Sequence, residues 1–413
     1  MRRRTRRKPV SQVSSQWRDG GMAERYATGV SLHSHTSCSE ESLQFVHKFL
    51  GMLPFAGRVM RRYERECERE HGLRLDFVRG FWRPPLLPKM AYDLEAGQIR
   101  SMGAEPLVSI TDHDTIEAPM LLRTVPSARH IPVSVEWTAL FGDTEFHLGI
   151  HNLPSAEGWM WMRRFEAYTR AAREVRCQGA GDLAEMRCAS AIAECDARLM
   201  SMLRELDEIP GVLVVFNHPV WDLHEVGEAV HRREVLRFLG GAGEVIHALE
   251  LNGLRHAREN REVMRLGAET GHLLISGGDR HGLEANANIN LTSAGSFGEF
   301  VEEIRVERRS HILFLDQYAK PWEGRILQST LNAVTDFPEF IEGWRRWDER
   351  AFHPDACGQM RPLRELWANG SAPWPLRMAI ELVRLGRNER FTRTFSRVVG
   401  RDSAMPLEME LPW

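Results

Sequence analysis

Two histidines stand two residues apart in Ser31-Leu32-His33-Ser34-His35-Thr36, at the end of an apolar stretch. On extended backbone, side chains repeat every two residues, so both imidazoles face the same way. The spacing recurs far downstream in Asp279-Arg280-His281, after Gly277-Gly278, a pair that lets the chain turn sharply. Between them lie Asp112-His113-Asp114, Glu136, His147 and Asn217-His218-Pro219, each at or near the end of an apolar, β-branched run. One such histidine alone would be an ordinary core or surface residue. Several in one register predict convergence on a cluster of metal ions. The donors are nitrogen and oxygen, with no thiolate, which suits zinc, manganese or iron(II) better than magnesium. They outnumber what one ion needs, so two or three ions are implied, with a carboxylate such as Glu136 shared. Paired ions lower the pKa of a bound water and clamp both oxygens of an in-line displacement, chemistry suited to phosphate esters.

Strands alternating with helices must position these groups. Seven strand candidates can be read: Tyr26 to His35, Pro106 to Thr111, Ile131 to Leu140, Thr144 to Ile150, Gly211 to Phe216, Val245 to Leu251 and Leu273 to Ser276. Gly142-Asp143 between the third and fourth signals a hairpin. Helices are expected at Lys89 to Met102, Val230 to Leu239 and His256 to Thr270. Continuous apolar strands between helices argue for a parallel sheet covered by helices. Seven strands with polar residues at their carboxyl ends favour a closed α/β barrel over an open sheet, with the chemistry at that face. Three regions follow: a mobile basic tail over 1–25, a metal-dependent barrel over 26–310 with helical insertions at about 43–88 and 154–210, and a helical C-terminal extension over 311–413. Six of the 12 tryptophans fall in that extension and are read as packing.

Composition excludes several classes. A net charge of -3 gives no overall bias toward nucleic acid or membrane. Only Lys8, Lys48, Lys89 and Lys320 are lysines among 54 basic residues, so arginine in a motif carries less weight than usual. The six cysteines have no C-x-x-C spacing and read as reduced thiols. No stretch has the apolar length of a membrane span, and no apolar segment follows the basic start, so a cytoplasmic protein is expected.

The ordered set Leu32-His33-Ser34-His35-Thr36, Ile110-Thr111-Asp112-His113-Asp114-Thr115, Val135-Glu136, His147-Leu148-Gly149, Asn217-His218-Pro219 and Gly278-Asp279-Arg280-His281-Gly282 resembles the PHP (polymerase and histidinol phosphatase) superfamily, over roughly Gly29 to Gly282. The resemblance implies a distorted seven-stranded (β/α)7 barrel with a trinuclear metal centre, and phosphoesterase activity through a metal-bridging hydroxide. By position it implies His33, His35, Glu136 and Asp279 at a first ion, and Glu136, His147 and His218 at a second. A third would take His113, His281 and an acidic residue after the first motif, where Glu40 stands with Glu41 beside it. The family usually has Asp where this chain has Ser31.

Around this set, Asp114 and His147 are the candidates for direct catalytic work; the leaving alcohol would take its proton from a metal-bound water or from a nearby acid such as Asp114. Asp112 and Asp114 are expected to orient His113. Glu250 and Asn252 end a strand facing the same mouth. His151 is either a neighbour of the site or a structural residue. Arg280 should point away by parity, with phosphate contact as the alternative. A small phosphorylated substrate is expected, with an oligonucleotide as the other diester option. Trp159, Trp161, Arg163, Arg164 and Tyr168 of the second insertion would meet a nucleotide or simply pack. Two competing readings are a C–N hydrolase on a related barrel, which would want a strand-end lysine that is missing here, and a non-catalytic scaffold, which would want missing ligands.

Overall fold

A computed structural model describes residues 9–15, 25–43, 77–177, 182–367 and 370–385, with a few positions between 65 and 72. In chain order the first strands are β1 (Val10–Ser15), β2 (Thr28–Ser31), β3 (Glu41–Ser42) and β4 (Phe81–Trp82). Then come α1 (Pro88–Ser101), β5 (Glu105–Val108), α2 (Glu117–Leu122), β6 (Val133–Phe141) and β7 (Thr144–Leu153). The second insertion is two long helices, α3 (Gly158–Cys177) and α4 (Asp182–Asp207). β8 (Leu213–Asn217), α5 (Glu228–Ala242), β9 (Ala248–Asn252), α6 (Ala257–Thr270) and β10 (Leu273–Gly277) follow in strict alternation. Next are β11 (Asn288–Thr292), α7 (Phe297–Glu302), β12 (Arg309–Phe314), α8 (Asp316–Ala319) and α9 (Trp322–Val334). The chain closes with β13 (Ala351–Pro354), β14 (Met360–Pro362), α10 (Leu363–Leu366) and α11 (Trp374–Arg384).

Local chemistry accounts for these limits. The β6–β7 hairpin turns at Gly142, which takes φ +52, as a two-residue loop requires. α6 starts where the His256 ring accepts the Arg258 N–H and stops at Gly271, whose φ is +72. α7 starts at Ser296, whose hydroxyl accepts the Glu299 N–H.

All seven expected strands are present, but the closed barrel is not found as one ladder. Among the described residues the strands form two five-stranded sheets, β1-β12-β11-β2-β5 and β10-β9-β8-β7-β6, and a third sheet, β14-β13-β4-β3. The ladder is interrupted because β2 and β10 stop at Ser31 and Gly277, before the two ligand-bearing loops. The sheets touch instead through single bridges, Ser34 with Arg280 and His113 with Glu136. Nor is the sheet wholly parallel: β7 runs antiparallel to both β6 and β8. Residues 10–15, expected to be mobile, form β1 beside β12 in parallel register. Arg2 to Lys8 and most of the first insertion lie outside the described residues.

Strand parity sorts the core. In β8, Leu213 and Val215 pack inward with Val30, Ala248, Leu273 and Ile275. Val214 and Phe216 pack outward with Trp137, Phe165 and Phe238, under α3, α4 and α5. Continuing the inward parity, Asn217 tops β8 and Glu250 and Asn252 top β9. The polar cluster therefore sits on a column of buried aliphatic side chains. The C-terminal region is not purely helical, since it supplies β13 and β14, and it has its own core of Leu363, Trp367, Leu376 and Ile380 with Leu43 and Phe77.

Behind the cluster, Arg280 points away from the mouth, as parity requires. Its Nε donates to Glu95 Oε1 at 2.6 Å, and both side chains are buried. Glu95 Oε2 accepts from Ser31 (2.9 Å) and from Asn286 (3.0 Å). Phosphate contact by Arg280 is thereby excluded in this conformation. Removing the carboxylate strands a buried guanidinium, so Glu95→Ala should cost about 3–5 kcal/mol. Denaturant unfolding measures this, and a loss below about 1 kcal/mol would contradict it.

Candidate metal centre

The histidine and carboxylate groups foreseen at strand ends come together, with one exchange. Glu136, on β6, is the hub. Its Oε2 lies 3.0 Å from His33 Nε2, 3.4 Å from His35 Nε2 and 3.3 Å from His113 Nε2. Its Oε1 lies 3.4 Å from His147 Nδ1 and 3.3 Å from His218 Nε2, and accepts the Asn217 amide at 2.9 Å. Asp279 Oδ1 stands 3.7 Å from His33 Nε2 and 3.5 Å from His35 Nε2.

The exchange concerns the acidic residue after the first motif. Glu41, not Glu40, enters the cluster: its Oε2 is 3.3 Å from His113 Nε2 and 3.2 Å from His281 Nε2, and its Oε1 is 3.3 Å from His35 Nδ1. Glu40 is exposed and pairs with Arg83 at 2.9 Å. The pairing of β3 with β4, which sets Glu41 opposite Trp82, makes this choice.

Four sets of ligand atoms lie close enough to share a cation: His33, His35 and Asp279; His35, His113 and Glu136; His35, Glu41 and His281; and Glu136, His147 and His218. The donor chemistry fits a cation. The Nε2 atoms of His33 and His35 face each other at 3.0 Å, beside carboxylate oxygens, in a buried space. Lone pairs aimed at a common point call for a positive charge there, supplied by a proton or a metal.

A second layer holds these groups. His33 Nδ1 is 2.6 Å from Glu250 Oε1, and Glu250 Oε2 accepts the His218 N–H at 2.9 Å. Asn252 bridges Glu250 and Asp279 (3.0 and 3.1 Å). Ser39, which sequence reading passed over, donates to Glu41 at 2.5 Å and accepts the His113 N–H at 3.0 Å. Asp112 does not orient His113. It accepts from Thr36 N (2.5 Å) and Oγ1 (2.7 Å), pinning the first loop. Asp114 accepts the Thr138 N–H at 2.8 Å and sits exposed at the rim. His151 is buried against Ser109 at 2.9 Å, off the cluster. Asp114, His218 and Asp279 all take positive φ (51, 30 and 53), backbone strain concentrated at the site.

Charges in the cluster are interdependent. Burial would raise the Glu136 carboxyl, but the imidazoles of His33, His113 and His147 hold it well below the usual range. Glu41 is lowered in the same way, against burial, by His113, His281 and His35. Conversely, burial would lower His113 and His281, but Glu41 lifts them to about 10 and about 9. Burial depresses His35 and His218 to about 4. Asp112 is pushed up to about 7 by burial, despite its bonds from Thr36.

A cavity of ≈ 900 Å³ opens over the cluster, with Arg83, Arg173, Arg255, Trp82 and Trp221 on its walls. The Arg255 guanidinium lies 3.5 Å over the Trp221 ring. The second insertion contributes Arg173 to this mouth, while Trp161 and Tyr168 are core residues. Trp159 and Arg163 line a neighbouring cavity, and Arg164 pairs with Glu205 at 2.6 Å.

No family model matches this chain, and no curated protein matches it by sequence. Several solved structures align in part, two of them as follows. One is an amidohydrolase from Chromobacterium violaceum with bound sulfate and no metal, at 17% identity and a TM-score of 0.33, over 48% of this chain and 84% of that one. The other, from Bifidobacterium adolescentis, is provisionally named a metal-dependent phosphoesterase, at 15% identity and a TM-score of 0.33, over 55% and 92%. Both likenesses are loose, and the functional reading stands on the geometry above. No described helix is long and apolar enough to cross a membrane.

Two outcomes follow. His33, His113 and His281 are raised, so they carry protons at neutral pH until a cation displaces them. Binding of Mn²⁺ or Zn²⁺ at pH 7 should release protons and tighten as pH rises. Calorimetry in buffers of different ionisation enthalpy reads this, and buffer-independent heats would contradict it. Glu250→Gln should weaken cation binding by roughly 10–100-fold. Equilibrium dialysis showing wild-type affinity would remove Glu250 from the supporting layer.

Proposed function

We propose that this chain is a metal-dependent hydrolase of the PHP type that cleaves phosphate esters. The observation that carries the reading is Glu136, whose two oxygens face two different histidine sets on the floor of a cavity walled by arginines. His33, His35, Asp279 and Glu136 would hold one ion, Glu136, His147 and His218 a second, and His113, Glu41 and His281 a third. Zinc, manganese or iron(II) suits this donor set. Bound there, such ions would activate water and neutralise charge developing on a phosphoryl group.

The chain's own residues do the rest. Arg83, Arg173 and Arg255 draw an anionic ester toward the floor, and a guanidinium fork matches phosphate oxygens. Stacking on Trp221 fixes the plane of Arg255, so less freedom is lost on binding. The buried aliphatic column below the cluster keeps bulk water to the mouth side. Asp114, anchored by the Thr138 N–H at the rim, is placed to give a proton to the departing alcohol. The hub position of a carboxylate, with no lysine in the cluster among the described residues, favours this over the C–N hydrolase reading.

A panel of aryl phosphates, nucleotides, sugar phosphates, histidinol phosphate and short oligonucleotides, assayed with Mn²⁺ or Zn²⁺, tests the proposal. Turnover of at least one ester is expected, lost on chelation and restored by the ion. Glu136→Gln should lower it by at least ~100-fold, the upper end of what even outer partners of a metal site cost. Cation-loaded protein that cleaves none of these would contradict the reading.

A further inference from the structure

Three separate stretches that meet at the mouth are each tied to the same distant part of the chain. The first is β3, which carries Glu41. In the third sheet Trp82 of β4 is paired with Glu41 on one side and with Ala351 of β13 on the other. A Cβ built on Gly80, just before β4, would stand 2.8 Å from the Phe352 carbonyl oxygen and 2.9 Å from Leu43, so the strands approach closely there. The second is the loop carrying His281. Asn332 of α9 donates to Glu284 Oε2, while Glu284 Oε1 faces the His281 N–H at 3.4 Å. The third is the loop carrying Arg255. Arg325 of α9 donates to the Gly253 carbonyl and, at 3.1 Å, to the Arg255 carbonyl. Trp322 donates to the Leu254 carbonyl at 3.1 Å.

The same helix walls the cavity with Ile326, Ser329, Thr330 and Ala333. Arg350 locks helix and sheet together, being buried and donating to the Thr335 carbonyl at 2.8 Å. None of these ties reaches His33, His147 or His218 directly: His147 lies within β7, and His33 and His218 lie just past the ends of β2 and β8.

We infer that the segment 322–354 is the positioning scaffold of one cation position, that of Glu41, His113 and His281, and of the rim residue Arg255, whose guanidinium stands 3.8 Å from Asp279. Without it, Glu41 and His281 hang on loops, and ligands on loops are placed less sharply than those on rigid elements. The other positions take Glu136 and His147 from within β6 and β7, and His33, His35, His218 and Asp279 from residues just past the ends of β2, β8 and β10. Asn332 and the β4–β13 seam are positioning features, since they act through Glu284 and Glu41. The inference rests on the cation-holding half of the function proposed above. It is read from cation affinity, so a protein that binds ions yet cleaves no ester would defeat the phosphoesterase reading separately.

The test is a Mn²⁺ titration by calorimetry of full-length, chelator-treated protein, with near-UV circular dichroism as the folding control. Asn332→Asp keeps the side-chain shape and turns its interaction with Glu284 repulsive. Gly80→Ala adds only a Cβ at the seam. In both, one class of sites is expected to weaken by roughly 10–100-fold. The loss should match that of Glu41→Gln, and the remaining class should keep wild-type affinity. Folded variants whose isotherms overlay the wild type, or that weaken every class equally, would overturn the inference.

Discussion

Everything at this site depends on the compensation of buried negative charge. Glu136, Glu41 and Asp279 are buried and held ionised by the imidazoles around them. An ionised carboxylate taken out of water costs several kcal/mol unless it is paired. Here the pairing partners are themselves buried, so neither side is stable alone. The arrangement makes sense as a receptacle for positive charge, which protons fill at neutral pH and below and which metal ions would take over.

That constraint shapes the fold around it. The two large sheets do not join through a continuous ladder, yet they meet at Ser34–Arg280 and at His113–Glu136. Both bridges flank or include cluster residues. The Asp279 N–H donates to the His33 carbonyl at 2.8 Å, and the His35 N–H to the Arg280 carbonyl at 2.8 Å. The site is thus also the seam between the sheets. Strained backbone at His218 and Asp279 is tolerated there because Glu250 accepts the His218 N–H and Asn252 donates to Asp279. The Glu95–Arg280 pair closes the seam from behind, with Ser31 and Asn286 filling the remaining contacts.

Much of this was legible in the sequence. The strands that end near His33, His218 and Asp279 were readable because continuous apolar runs announce them, and the two-residue repeat of strand side chains then gives the face, while Glu136 lies inside β6. Glu250 followed from the same parity. Glu41 was not readable, because its neighbour Glu40 is chemically identical and only the long-range pairing of β3 with β4 selects between them. β11 and β12 were missed because polar residues interrupt their pattern. Asn288 and Asn290 are strand residues whose side chains bond to the Leu251 and Ser276 carbonyls, a partner no local pattern reveals. β1 was hidden for a similar reason: Ser11 bonds to the Leu274 N–H and Ser310, so a polar hexapeptide becomes a sheet strand. The C-terminal region read as helical because its strands are short and hold to Phe81–Trp82, far away in sequence.

The central claim is that one carboxylate organises several cations at the seam of two sheets. Anomalous diffraction from crystals grown with Mn²⁺ or Zn²⁺ tests it most directly. Two or three peaks around Glu136, with at least two of them within bonding distance of its oxygens, are the expected result. A map with no peak between His33, Glu136 and His218 would contradict the account.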